Sequence, residues 1–139
     1  MDTASCSKGG VNKMAKQKLL TKEVAKAIPV LGSTEGEDNP SIVVKFFNPA
    51  NQWTWYAIEG TAYLKDGREV AVAEVPNLDT LEGVDDIHFF GLVHGLEKEL
   101  GYFSFRELKE YRGKWGLGIE RDMYFGQHTL REVMKGGAR

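Results

Sequence analysis

Four acidic side chains and one arginine in the C-terminal half are the residues whose types and spacing could do chemistry. Glu97 and Glu99 lie close together, and Glu120, Arg121 and Asp122 are consecutive. Converging carboxylates can bind a divalent metal or divide the roles of general acid and general base. One hypothesis is therefore a metal-dependent hydrolase or nucleic-acid-processing enzyme. We favour the alternative, in which the arginine pairs with one carboxylate and the others are solvated or hold loop amides.

Two histidines are weaker metal candidates. His88 and His94 are six residues apart, so in an unbroken strand they share a face, and with Glu97 or Glu99 they could ligate zinc. Six extended residues span about 20 Å, so a shared ion requires a bulge or bend at Gly91. We therefore expect separate histidines, and we predict no cofactor.

Nucleophilic catalysis has little support in the sequence. The single cysteine, Cys6, lies in the poorly patterned start of the chain, and no serine stands in a Gly-x-Ser-x-Gly segment. Ser104 is explained by a helix cap, because a glutamate follows three residues later. These observations argue against an enzyme without excluding one.

Three aromatic residues form a candidate binding surface. Trp53, Trp55 and Tyr56 could stack on unpaired bases or anchor a protein interface. Alternation places the tryptophans on one face of a strand and Tyr56 on the other, so one group must be core, and we expect it to be the tryptophans. Because the chain is nearly neutral, a protein partner is favoured over a nucleic acid.

An acidic segment, residues 76–86, offers a second candidate surface. Its aspartates include Asp79, Asp85 and Asp86, and little periodicity accompanies them, so we predict a surface loop. Such a loop could present negative charge to a basic groove of a partner, for example a nucleic-acid enzyme. The alternative, which we favour, is that these carboxylates keep the protein soluble.

Composition bounds the class of protein. The 139 residues are 42% hydrophobic and 27% charged, which fits one globular domain with one core. Eighteen basic and twenty acidic residues give a net charge of −2, which argues against direct binding to duplex nucleic acid. The lone cysteine, the lack of a secretory signal and the lack of a spanning segment predict a cytoplasmic protein with no membrane contact.

The elements that must position these residues are mostly strands. Residues 1–18 hold few bulky apolar groups and are predicted to be a flexible N-terminal tail, while residues 19–139 form a single α+β domain. The domain is predicted to be a curved, mainly antiparallel sheet of four to six strands with short flanking helices. The predicted elements are a helix over 22–27, a hairpin of strands 41–47 and 52–58, a second hairpin of 61–64 and 69–75 around Asp66-Gly67, a strand over 87–94, and helices begun by the capping boxes at Ser104 and Thr129.

Several segments resemble one bacterial family. They are Trp53–Ala57 (WTWYA), Phe89–Glu97 (FFGLVHGLE), Glu99–Ser104 (ELGYFS) and Gly118–Asp122 (GIERD), within a similarity that spans residues 19–133. That family is of unknown function and is met on plasmids, integrative elements and phages. The resemblance implies a mobile-element accessory role, with counter-defence inhibition as one form, and it brings no established activity. The chain differs from the family pattern in its leader and in a longer stretch between Glu59 and Asp86.

These observations leave three hypotheses. The first is a non-enzymatic module that binds an unidentified protein. The second is the metal-dependent enzyme built on the carboxylates, and the third is a binder of single-stranded nucleic acid that uses the tryptophans.

Overall fold

A computed structural model describes residues 18–135 of the chain. The tail predicted over residues 1–18 lies outside this range, apart from Lys18. No helix in the described range is long and apolar enough to cross a membrane. In chain order the elements are α1 (Lys22–Lys26), β1 (Ser41–Ile42), β2 (Val44–Phe47), β3 (Thr54–Leu64), β4 (Glu69–Ala71), β5 (Val84–His94), β6 (Lys98–Ser104), α2 (Phe105–Glu110), β7 (Glu120–Arg121), β8 (His128–Thr129) and α3 (Leu130–Met134).

An open, curved, antiparallel sheet of six strands organises the domain, which confirms the predicted α+β class. The strand order is β6-β5-β3-β2-β7, and β4 also pairs with β3. β3 is long enough for β2 to pair with residues 54–57 and for β4 to pair with residues 61–63, while β5 runs along its other edge. β1 and β8 form a separate two-stranded ribbon.

The two predicted hairpins are present. The second turns at Asp66-Gly67, where Gly67 has a φ of +95° and the Asp66 carboxylate accepts the backbone N–H of Arg68 at 3.0 Å. Its returning strand ends at Ala71 rather than Val75, because residues 72–74 form a 3-10 turn that buries Val72 in the core.

Each face of the sheet carries one buried apolar cluster. α1 and α2 cover the first face, and α3 covers part of the second. Buried residues of the first cluster include Phe46, Ala57, Ile87, Phe89, Phe105 and Leu108. The second cluster comprises Ile42, Tyr56, Ile58, Leu92 and Val133.

The expectation that the tryptophans are core is met only in part. Trp55 is partly buried and packs against the first cluster, whereas Trp53 is 37% exposed, and Tyr56 on the opposite face is fully buried. The reason is that α3 and Phe125 pack over the Tyr56 side of β3. On the other side, α2 only partly covers this end of the strand.

The acidic segment is also shorter than predicted. β5 begins at Val84, so Asp85 and Asp86 lie within a strand and not in a loop. The helices after Ser104 and Thr129 begin where the capping boxes predict. The Ser104 hydroxyl accepts the backbone N–H of Glu107 at 3.1 Å.

Candidate functional site

The structure does not bring the four predicted carboxylates together. Glu97 and Glu99 belong to the β5–β6 turn and β6, at one end of the strand order, whereas Glu120 and Asp122 belong to β7 and the residue after it, at the other end. Neighbouring strands are about 4.8 Å apart, so four such steps place the two pairs roughly 19 Å apart along the sheet. Among residues 18–135 no group of three His, Cys, Asp or Glu side chains could hold a metal ion.

The β7 residues have structural contacts instead. Asp122 pairs with the ammonium of Lys45 at 3.2 Å, and that ammonium also lies 5.8 Å from the centre of the Tyr56 ring. Arg121 donates from Nε to the carbonyl oxygen of Lys18 at 3.3 Å. These contacts tie β7 to the sheet and to the start of the described chain.

The two histidines are held apart along β5. β5 has no bulge at Gly91, where a shared ion would need one. The two irregularities of the β3–β5 pairing lie between Ala57 and Glu59 of β3 and at Asp85 of β5. His88 lies 3.4 Å from the Asp86 carboxylate, while His94 is paired in register with Thr54 and Lys98. The structure therefore places them as separate side chains.

Asp86 has a structural role that the sequence does not reveal. Its Oδ1 accepts the backbone N–H groups of Ile87 at 2.7 Å and Arg106 at 2.9 Å, and its Oδ2 accepts the hydroxyl of Ser104 at 2.5 Å. The carboxylate thus joins β5 to the start of α2. Its neighbour Asp85 is exposed.

A groove beside Trp53 and Trp55 is the strongest candidate site. It is an open cleft of about 300 Å³, and we call it the tryptophan groove. Its apolar lining comprises Trp53, Trp55, Phe103, Leu108, Tyr111 and Ile119. Its polar lining comprises Asn48, Asn51, Ser104 and Glu107. The groove therefore joins the β2–β3 turn, the end of β6, α2 and the residue before β7.

Hydrogen bonds in the β2–β3 turn order the backbone next to the two indoles. Residues two apart in a strand share a face, and the ring centroids of Trp53 and Trp55 are 6.1 Å apart. Asn48 is buried, and its backbone N–H donates to the carbonyl oxygen of Trp53 at 2.8 Å. The side chain of Asn51 accepts the backbone N–H of Trp53 at 3.0 Å. Because these bonds already order the turn, little conformational entropy remains to be lost there when a ligand binds.

The groove has one charged lining residue, the acidic Glu107. Glu107 lies in the first turn of α2, where the helix dipole stabilises a negatively charged carboxylate. A largely apolar cleft with a few polar groups and one negative charge suits an apolar anchor with a donor or cation beside it. It does not suit a phosphate.

Sequence reasoning identified only the two tryptophans of this site. The third aromatic candidate, Tyr56, lies on the opposite face of β3, where alternation places it. Phe103, Tyr111 and Ile119 were missed, because they come from separate segments that only the folded sheet brings together. The turn at Asn48 to Asn51 was predicted, although its contribution to the groove wall was not.

Comparison with known proteins supports an uncharacterised family. Residues 70–135, just under half of the chain, match the model of a family described as protein of unknown function, DUF2958. No curated protein and no solved structure matches the chain. The family match assigns no activity, so the geometry of the site must carry any functional argument.

Proposed function

We propose that the chain is a non-enzymatic protein-binding module whose tryptophan groove receives an apolar side chain of a protein partner. The observation that carries the proposal is the pair of neighbouring, partly exposed indoles of Trp53 and Trp55 over a preformed apolar groove. Tryptophan and tyrosine are enriched among the residues that contribute most to protein interfaces, especially where they line well-packed pockets.

Charge favours a particular kind of partner. Among residues 18–135 the only charged lining residue is Glu107, so a partner segment with a lysine or arginine next to its apolar anchor is complementary to the groove. Single-stranded nucleic acids are bound by positively charged grooves with stacking aromatics. Glu107 therefore favours a protein over bases as the ligand. The separation of Glu97 and Glu99 from Glu120 and Asp122, with no metal-binding group of three side chains among residues 18–135, favours a binding module over the metal-dependent enzyme.

The motif resemblance extends the proposal to an accessory role on mobile elements. In this role the module acts in the cytoplasm and restrains a host or element-encoded protein, for example a nucleic-acid enzyme. The hydrogen bonds of Asp86 leave Asp79, Glu82 and Asp85 as the acidic side chains that residues 76–86 can present to such a partner.

A selection from a displayed random peptide library tests the binding function. We expect enriched peptides to carry an aromatic or aliphatic anchor next to lysine or arginine. Affinity for these peptides should fall at least about tenfold when Trp53 and Trp55 are both replaced by alanine, as is typical of interface hot spots. Trp115→Ala is the matched control, because this indole is 85% exposed and does not line the groove.

Two results would contradict the proposal. One is equal binding of the selected peptides to the double variant. The other is quenching of tryptophan emission by a 20-nucleotide oligo-dT at low salt that is lost in the double variant, because that result would assign the indoles to base stacking.

A further inference from the structure

The outer edge of β6 is open. β6 is the last strand in the sheet order, and within residues 18–135 no strand pairs with its outer side. An edge strand presents unpaired backbone N–H and C=O groups and acts as a template for another chain. From the features of this edge we propose that a second copy of the chain pairs with β6 in antiparallel orientation, about a two-fold axis at Gly101.

An apolar strip runs beside this edge. Tyr102 is 72% exposed and Leu100 is 48% exposed, and as residues two apart they share a face of the sheet. Tyr102 packs on Phe90 of β5 with ring centroids 5.1 Å apart. The strip is therefore anchored to the sheet on one side and open on the other, where a second copy would cover it.

The sequence of β6 is complementary to itself. An antiparallel pair centred on Gly101 places Leu100 opposite Tyr102 of the second copy, and Tyr102 opposite its Leu100. This register pairs all seven residues of β6 with the β6 strand of the second copy. Moving one copy along the other by two residues leaves residues of each strand unpaired. A Cβ atom at Gly101 would meet nothing within 4 Å, so this position accepts a cysteine side chain without overlap.

The charges of β6 also fit a second copy. In the centred register Lys98 lies opposite Ser104 and Glu99 lies opposite Phe103, so no like charges face each other. Lys98 needs no new partner in this register, because its ammonium already donates to the carbonyl oxygens of Val133 at 3.1 Å and Met134 at 2.7 Å. The pairing of Leu100 with Tyr102 and the absence of facing like charges favour a second copy over a strand of unrelated sequence.

Sedimentation equilibrium of the full chain tests the proposal. We expect a dimer whose dissociation constant rises about tenfold or more in each of two variants, Leu100→Glu and Tyr102→Lys, because each places a charge against an apolar residue on both sides of the axis. An equimolar mixture of the two variants should dimerise again, since one Glu–Lys pair and one native Tyr–Leu pair would then form. Leu96→Glu is the control, because Leu96 is 94% exposed in the β5–β6 turn and lies outside the pairing.

A cross-linking experiment tests the axis itself. Directly opposed strand residues have Cα atoms about 4.5–5.5 Å apart, within the range that a disulfide spans. Gly101→Cys in a Cys6→Ser background should therefore form a covalent dimer with the oxidant diamide, whereas Leu96→Cys in the same background should not. A monomeric wild type, full dimerisation of both charged variants, a mixture that stays monomeric, or an uncross-linked Gly101→Cys protein would each overturn the proposal.

Discussion

The Glu59 carboxylate accepts two hydrogen bonds from Thr34, one from the backbone N–H of Thr34 at 2.8 Å and one from the Thr34 hydroxyl. The same carboxylate accepts the backbone N–H of Gly32 at 2.7 Å. Glu59 is 4% exposed in the middle of β3, so these bonds attach the loop between α1 and β1 to the centre of the sheet. Burial raises the pKa of Glu59, but the bonds from Thr34 and Gly32 together outweigh it and lower the pKa below its ordinary value of 4.5.

Glu59→Gln should lower the free energy of unfolding by about 1.5–3 kcal/mol at pH 7, because hydrogen bonds to a charged acceptor contribute that much. Urea denaturation measures the change. Glu35→Gln is the control, since Glu35 is exposed in the same loop, and it should leave stability within about 0.5 kcal/mol of the wild type. Equal effects of the two substitutions would show that the bonds to Glu59 are not what holds the loop.

The contribution of Glu59 should depend on pH in a defined direction. A carboxyl whose pKa is lower in the folded state than in the unfolded state stabilises the fold above the unfolded value. That contribution is lost as the pH falls through the lowered, folded pKa. The stability difference between wild type and Glu59→Gln should therefore be constant above about pH 5.5 and shrink as the pH falls below the ordinary value of 4.5. A difference that grows on acidification would contradict the assignment.

Asp86→Ala should destabilise the fold by about 2–3 kcal/mol, because it leaves the N–H groups of Ile87 and Arg106 without their acceptor. Asp85→Ala is a matched control one residue away, and we expect it to change stability by less than about 0.5 kcal/mol. Thermal unfolding of both variants distinguishes them. Equal unfolding midpoints for Asp86→Ala and Asp85→Ala would show that the carboxylate of Asp86 does not join β5 to α2.

One hairpin of the sheet and the starts of two helices could be predicted because their signals are local. The Asp66-Gly67 turn and the caps at Ser104 and Thr129 each need only a few neighbouring residues, and the structure contains all three. The partial exposure of Trp53 and Trp55 could not be predicted, because alternation assigns residues to faces and does not say what covers each face. Coverage of the Tyr56 face depends on α3, more than seventy residues along the chain.

The same limit applies to the four carboxylates. Glu97 and Glu120 can meet only if β6 and β7 lie at one edge of the sheet. Which edge each strand occupies is set by the strand order, and sequence spacing does not give that order. The tryptophan groove depends on the same order, since the end of β6 and the residue before β7 both contribute to its lining.

Gly95→Ala should displace the indole of Trp53 from its place in the groove. A Cβ atom at position 95 would overlap three atoms of that ring, and the partly exposed ring has room to move. We therefore expect a shift in tryptophan emission and at least about tenfold weaker binding of groove-selected peptides, with a stability loss of roughly 1–3 kcal/mol from overpacking. Gly36→Ala is the control, because a Cβ there meets nothing within 4 Å. Unchanged emission would mean that the ring does not pack on Gly95.

Trp115 adopts a left-handed backbone conformation with a φ of +59°, which is unfavourable for any residue with a Cβ atom. Its ring is 85% exposed, and the ammonium of Lys114 lies 5.9 Å from the ring centre. Substitution by glycine or by alanine removes the same ring contact, but only glycine relieves the backbone. Trp115→Gly should therefore be about 1 kcal/mol more stable than Trp115→Ala in urea denaturation, after the greater flexibility of unfolded glycine is included. Equal stability, or a more stable alanine variant, would show that residue 115 is not held in the left-handed region in solution.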